Sequence, residues 1–445
     1  MKFVKHMIQV TDPRIPDMIY ATFPDISHNV ELLSKIYKMW RLGNDVEYAQ
    51  LYFAKHEQGT LLTKLTNYKI DTTRKVIRVT LANGFPCFIP LELFGNVDIE
   101  TLIDLLKLPM QITVKHVKGV LVAGELKLPT LQSAKDIGKE IIEEIGALNA
   151  LLLAFGIMPH RITYWLFLPR LMSLFKGFKS AHQSIPVHPI HILQFTEPNS
   201  GKTEFAVRAS SVANYEYMGG ELPTLTRLVY DARSGAIGAV GLRDGVILDE
   251  FDKKTANDLV KLTTDLRAML TGMEQCVWSR SAGAKGIEIR KCVNFIFFGN
   301  VPPFLRGSTT REKIVNYYNV SGMDALIDRI TIVDMWQTPI DIAEYLIHRI
   351  MPNYILRGMI EYLQSQLKPL ELEVEVGGSR APRHALNVKS LLSVLGVKLP
   401  DDTIKNLVLG ITTFDVISRM IPDETLKDNI PQAELIPKIK EALKG

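Results

Sequence analysis

Apolar residues recur at three-to-four spacing through residues 24–58, at Val30, Leu33, Ile36 and Trp40, which predicts a helical opening. The period then falls to two. Between Lys69 and Leu81 the residues Val76, Arg78 and Thr80 fall on one side and Lys75, Ile77, Val79 and Leu81 on the other. Gly84 and Pro86 turn the chain into a run at Cys87–Ile89, and Gln111–Glu125 supplies further strands around Gly119. Short strands punctuated by Gly and Pro predict a small β-barrel of the oligonucleotide-binding kind. Ala134–Phe155 reads as one amphipathic helix, followed by Pro159, a second apolar segment at Tyr164–Phe175 and a polar connection at Lys176–Pro189. Ile190–Phe195 is an apolar run, though not an unbroken one, of the kind a buried strand shows. From Ile340 the helical period returns, broken at Gly377–Pro382 and resuming at His384.

These changes of period divide the chain into four stretches. Residues 1–130 are helical and then β-rich, a barrel that would bind DNA. Residues 131–185 form a helical connector, 186–338 an α/β core and 339–445 a helical C-terminal lid. The core is expected to be a mostly parallel sheet with helices on both faces. No internal repeat or low-complexity tract stands out.

Composition narrows the class. The chain has 445 residues, 47% of them hydrophobic, enough for several cores. Its net charge of +4 permits a polyanionic partner without requiring one. The longest apolar stretch, Ile145–Met158, is interrupted by Gly146 and Asn149 and is too short to span a bilayer; the N-terminus has no apolar signal core. A soluble, cytoplasmic protein with no membrane partner is expected. Cys87, Cys276 and Cys292 form no Cys-x-x-Cys pair, which argues for reduced thiols rather than a disulfide framework and against a cysteine-ligated zinc module. Cys276 and Cys292 read as small core residues. His182, His188 and His191 have no carboxylate partner at metal-ligand spacing and read as surface or satisfied polar groups.

The candidate chemistry begins at Thr196–Thr203. A loop ending Gly201-Lys202-Thr203 after an apolar strand is the pattern of a phosphate-binding turn. In the turn through Pro198, Asn199, Ser200 and Gly201 the backbone N–H groups that follow the proline face phosphates, Lys202 neutralises them and the Thr203 hydroxyl ligates Mg²⁺. Thr196 stands where the pattern usually starts with glycine. Val246–Glu250 is a second buried strand that ends in two carboxylates, Asp249 for the Mg²⁺ shell and Glu250 for the attacking water. ATP and Mg²⁺ are the expected cofactors. Lys291–Phe298 leads to Asn300, positioned to hold that water. Arg329 suits a finger reaching a neighbouring copy's γ-phosphate, or else a salt bridge to Asp324 or Asp328. Arg380 and Arg383 precede a helix of the lid, from which Arg383 would touch the phosphates. Ser281–Ile287 reads as a hairpin tip carrying Lys285, with Arg233 and Arg243 in the insert before the carboxylate strand as further DNA contacts. Arg74 and Arg78 would lie along a nucleic-acid backbone, or form a solvated face.

Two resemblances attach to these residues. Val246-Ile-Leu-Asp-Glu-Phe-Asp-Lys253 resembles the Walker B stretch of the MCM replicative helicases, and Gly283–Ile287 resembles their presensor hairpin. Leu228-Val-Tyr-Asp-Ala-Arg233, Gly238-Ala-Val-Gly241-Leu-Arg-Asp244, Ser279-Arg280, Phe297-Phe-Gly-Asn300 and Asp328-Arg329-Ile330 are similar to the Lon-like AAA+ proteins of BREX phage defence, BrxL. Weaker echoes lie at Leu168-Pro-Arg-Leu171 and Tyr68-Lys-Ile-Asp71. The resemblance implies an AAA+ fold. It makes Lys202 and Thr203 Walker A residues, Asp249 and Glu250 Walker B, Asn300 sensor 1, Arg329 the arginine finger and Arg383 the sensor 2 candidate. It also implies a homo-oligomeric ring, hexameric by analogy, without the Lon-like protease-type domain, since little chain follows the core. The expected function is DNA binding coupled to ATP-driven translocation or unwinding. The alternatives are a protein remodeller, or a DNA-binding ring scaffold with weak ATPase activity.

Overall fold

A computed structural model describes residues 8–9, 30–65, 68–71, 73–95, 102, 105–106, 110–127, 131–220, 224–231, 236–254, 267–282, 285–303, 311–319, 321–347, 349–351, 353–421, 429 and 432–444. The helical opening is two helices, Val30–Asn44 (α1) and Val46–Phe53 (α2). Asp45 joins them: its carboxylate accepts the Tyr48 N–H at 3.0 Å and caps α2.

Six strands follow: Gln58–Thr63 (β1), Tyr68–Asp71 (β2), Val76–Thr80 (β3), Pro86–Pro90 (β4), Met110–Val117 (β5) and Val120–Lys127 (β6). Their order is β1-β5-β6-β4-β3-β2, antiparallel except for β4 with β6. The edge strands β1 and β2 are consecutive in the chain with only residues 64–67 between them, so the chain itself links the two edges. The interior holds Leu61, Ile77, Val79, Leu81, Cys87, Ile89, Ile112 and Leu121. The apolar members of one period-two set thus face inward, while Arg78 and Thr80 face outward.

Leu131–Ile145 (α3), Ala147–Ala154 (α4) and Arg161–Met172 (α5) come next. The single helix expected over 134–155 is two, because Gly146 sits at φ 89°, which no helix interior contains. Every residue of α4 is buried, as in a helix enclosed on all sides.

The α/β core is a five-stranded sheet of Ile192–Thr196 (β7), Tyr215–Met218 (β8), Gly245–Leu248 (β9), Asn294–Asn300 (β12) and Ile332–Trp336 (β13), in the order β8-β9-β12-β7-β13. All of its ladders are parallel. Between its strands lie helices Lys202–Val212 (α6), Arg267–Gln275 (α7) and Met323–Arg329 (α8), and a hairpin of Val277–Ala282 (β10) with Lys285–Arg290 (β11). Alternate residues serve two cores. Ile192, Ile247, Ile296 and Ile332 face one, while Leu193, Val246, Phe297 and Val333 face the other. Continuous apolar runs are what a sheet buried on both faces requires.

Asn353–Gln366 (α9), Ala381–Val394 (α10) and Phe414–Met420 (α11) share the first of these cores with α3–α5. Where α3 crosses α9, a Cβ on Gly138 would lie 2.7 Å from Met359 N and one on Gly358 only 2.2 Å from Ala134 O. Backbone therefore meets backbone there. Among the described residues no helix is long and apolar enough to cross a membrane.

Candidate functional site

The parallel strands end on one edge, and β7, starting from the middle of the sheet, delivers Thr196 there in register with Asn300 of β12 and Trp336 of β13. The turn that follows takes Asn199 to φ 61° and Gly201 to φ 75°, both left-handed. Asn tolerates that region, and a Cβ on Gly201 would also press to 3.1 Å from Ile342. Ile342 N donates to Asn199 O at 2.9 Å and pins the turn from outside. Pro198 and Asn199 are exposed while Ser200 is buried, so the loop is anchored at its helix end. Helix α6 then starts at Lys202 and aims its unpaired N–H groups out of the edge.

Lys202 Nζ donates to Thr196 Oγ1 at 2.9 Å, to Glu197 O at 3.4 Å and to Asn300 Oδ1 at 3.1 Å. Burial, then the Arg170 charge, bring its ammonium down to about 8 against the pull of Asp249 and Asp252. Thr196 replaces the usual glycine without backbone strain, since it is a strand residue outside the positive-φ set. Its hydroxyl lies 2.6 Å from Ser200 Oγ.

Strand β9 delivers the carboxylates. Asp249 is buried, and its Oδ1 accepts the Glu250 N–H at 2.8 Å. Tyr217 on neighbouring β8 donates its hydroxyl to Asp249 Oδ2 at 3.0 Å. Burial and the Asp249 charge lift that phenol to about 12. Glu250 sits at φ 57°, half exposed and paired with Lys253, whose hydrogen bond holds its carboxyl below the usual range. Asp252 accepts the Asn300 N–H at 2.9 Å and faces its side-chain amide at 3.4 Å.

One edge thus gathers Gly201, Lys202, Thr203, Asp249, Glu250 and Asn300. A hydroxyl and a carboxylate are the hard oxygen donors Mg²⁺ takes, and an ammonium beside free helix N–H groups suits phosphate oxygens. Among the described residues no three His, Cys, Asp or Glu form a metal cage. A cation here therefore fits only in company with phosphate or water oxygens, the usual condition for Mg²⁺. Two neighbours escaped the sequence reading. Tyr217 has no local signal, and the only trace of Arg170 is the echo at Leu168–Leu171.

The opposite edge, where the strands start, holds the other arginines. Arg329 ends α8; its Nε donates to Leu270 O at 2.9 Å and its Nη1 to Ala325 O at 2.6 Å, rather than to Asp324 or Asp328. Arg383 donates to Glu274 at 2.8 and 3.3 Å, and Arg380 to Glu274 at 2.9 Å and to Asp328. His384 Nε2 lies 3.0 Å from Asp328 O. His191, just before β7, accepts the Phe295 N–H at Nδ1 and bonds Met273 O. Burial lowers His188 to about 2 and His191 to about 3, so both are neutral; His182 is exposed. Arg383 is therefore not beside the phosphate turn, contrary to expectation. Glu274 of α7 holds it a full strand away, ~16 Å at 3.3 Å per residue.

The expected DNA contacts divide. The hairpin forms, with Ala282 opposite Lys285, but the Lys285 side chain lies outside the described residues, as does Arg233. Arg243 is engaged within the chain, donating to Glu216 at 3.1 Å and to Asn214 at 3.0 Å. Arg78 donates to Asp71 at 2.6 Å, and Arg74 is exposed. Cys276 and Cys292 are disulfide-bonded rather than separate thiols, their Cα atoms 4.4 Å apart. The hairpin folds back between them, which spacing alone conceals.

No family model matches the chain. It is 32% identical over 231 residues to "Uncharacterized protein ORF425" of Acidianus filamentous virus 2, a match covering 50% of this chain and 52% of that protein. The chain thus spans about half the length of that relative. It is 27% identical over 392 residues to "Uncharacterized protein 440" of Sulfolobus islandicus rod-shaped virus 1, 84% of this chain and 85% of the relative. Against "Uncharacterized protein ORF426" of Acidianus filamentous virus 1 it is 25% identical over 388 residues, 81% and 87% of the two.

Proposed function

We propose that the chain is an AAA+ ATPase that assembles into a ring, binds DNA and couples ATP hydrolysis to translocation or unwinding. The observation that carries this reading is the convergence of Lys202, Thr203, Asp249, Glu250 and Asn300 on one strand-end edge, beside the N-terminus of α6. Such an edge, where the strand order reverses around β7, is where open parallel sheets bind ligands.

In this reading the N–H groups of residues 199–203 and the Lys202 ammonium bind the β- and γ-phosphates. Thr203 and Asp249 hold Mg²⁺, which when bound neutralises charge developing on the phosphate oxygens. Glu250 accepts a proton from the attacking water, whose oxygen bonds the γ-phosphorus as the bond to the bridging oxygen breaks. Asn300 orients that water. Arg329, at the far edge from its own turn, serves a neighbouring copy, and a closed homo-oligomer, hexameric by analogy, follows. The six-stranded sheet of β1–β6 supports an oligonucleotide-binding role for this region, and the β10–β11 hairpin supports a phosphate grip by Lys285.

Phosphate release measured on size-fractionated protein, alone and with single- or double-stranded DNA, tests the reading. Stimulation by one polymer is expected, and its absence together with no basal turnover overturns the ATPase assignment. Lys285→Ala should weaken DNA binding and flatten the salt dependence by about one unit of slope. Unchanged DNA binding at matched salt would favour a polypeptide substrate.

A further inference from the structure

Arg170, on α5, has no solvent exposure. Its guanidinium lies directly behind the 197–201 turn. Nη1 donates to Ser200 O at 2.9 Å, Nη2 lies 3.5 Å from Ser200 Oγ, and Nε donates to Gln194 Oε1 at 2.7 Å. The rings of Phe167 and Phe298 cover it, with centroids at 4.5 and 5.4 Å. A buried charge normally sits against an opposite one, because leaving it unpaired in apolar surroundings is costly. Among the described residues Arg170 has no ion-pair partner. Gln194 places a neutral amide between it and Asp334, donating to Asp334 Oδ2 at 2.9 Å. Carboxylates act on it only from a distance, Asp334 most and then Glu204 and Asp249, and the Arg170 field in turn helps to depress Lys202.

A cation built into the interior, tied to the carbonyl of a turn and touching no carboxylate among the described residues, points to an anion on the other side of that turn. We propose that Arg170 is the inner cation of the phosphate site, shaping the turn through Ser200 O and drawing its counter-charge from a bound triphosphate. This rests on the ATPase reading above. Arg170 acts through the turn and through its field, which the surrounding aromatic rings leave little screened. It is a positioning residue, not a catalytic one. Lys202 meets the phosphates as the outer point charge, and Arg170 supports the same charge from beneath. The second cation also compensates for what Thr196 costs, since a side chain there occupies space a glycine would leave open.

The test uses the full chain with Mg²⁺ and a non-hydrolysable ATP analogue, titrated calorimetrically, with thermal unfolding measured without nucleotide. Arg170→Met removes the charge at similar volume. We expect binding at least tenfold weaker while the nucleotide-free melting temperature stays level or rises, and Arg170→Lys should restore most of the affinity. Binding by Arg170→Met within twofold of the parent overturns the proposal. So does a drop in nucleotide-free stability that Arg170→Lys repairs without repairing affinity. Should Arg170→Met fail to fold, Arg170→Gln removes the charge while keeping an amide donor behind the turn. Tenfold weaker binding then supports the proposal, and parental affinity overturns it. A parent that binds no analogue at all instead sinks the ATPase reading.

Discussion

The two edges of the parallel sheet use the same residue types in opposite ways. Where the strands start, most charge is closed on itself: Glu274 takes both Arg380 and Arg383 and Asp328 takes Arg380, while Arg329, resting on two backbone carbonyls, is the exception. Where the strands end, Glu250 pairs with Lys253 at the rim, but Lys202 is held by a threonine hydroxyl, a carbonyl and an amide, Asp249 by a tyrosine hydroxyl and an N–H, and Arg170 by neutral oxygens. Neutral partners orient a charge without cancelling it. The difference teaches that a site is marked less by which ionisable residues it contains than by whether their charges are already answered within the chain.

The largest expected effect breaks the comparison on its active side. Glu250→Gln should slow phosphate release by roughly a hundredfold to ten-thousandfold, the range for losing a general base, while retaining nucleotide. Parent and variant turning over equally slowly would make the strand-end edge as inert as the other.

The disulfide belongs to the closed edge, and opening it should cost structure rather than chemistry. Reducing Cys276–Cys292, which closes a separation of 16 residues, should lower the unfolding free energy by about 3 kcal/mol. Denaturant unfolding with and without reductant measures this, and turnover per folded molecule should be unchanged.

Glu274→Gln sharpens the same point with a smaller effect, about 2 kcal/mol, because the pair is only partly buried. Burial pushes the Glu274 carboxyl up, but hydrogen bonds and charge from Arg383 and Arg380 bring it down to about 2. A carboxyl depressed in the folded state stabilises above its unfolded value, about 4.3, and that stability is lost as pH falls towards 2. The parent should therefore lose stability across that acid window and Glu274→Gln should lose less. Parallel pH profiles would contradict the pairing.

The smallest effect concerns Lys202. Its free ammonium is lowered to about 8, so as pH rises past that value the protein must regain a proton to bind phosphate. Affinity for the Mg²⁺-bound ATP analogue should fall by up to about tenfold per pH unit above 8, and Lys202→Arg should flatten the fall.

Much of the strand-end edge was legible because its parts are local in sequence. An apolar strand followed by Gly201-Lys202-Thr203, and another followed by Asp249-Glu250, each carry their geometry within a few residues. The β-rich region was legible for the same reason, since period two assigns Ile77 and Val79 to an interior without knowledge of their neighbours. Tyr217 was not, because its partner Asp249 comes from another segment. Arg383 was misjudged because its position depends on Glu274, 109 residues away. The helix break at Gly146 was visible as a glycine but not as a positive φ.

Periodicity and short motifs by themselves determined which segments are strands or helices and which residues stand at a strand's end, since backbone geometry sets side-chain direction over a few residues. Only the tertiary structure decided which charges are answered. Ion pairs, a disulfide and a buried guanidinium behind a turn depend on which distant segments pack together, and a single carboxylate brought within 3 Å separates a structural arginine from a functional cation.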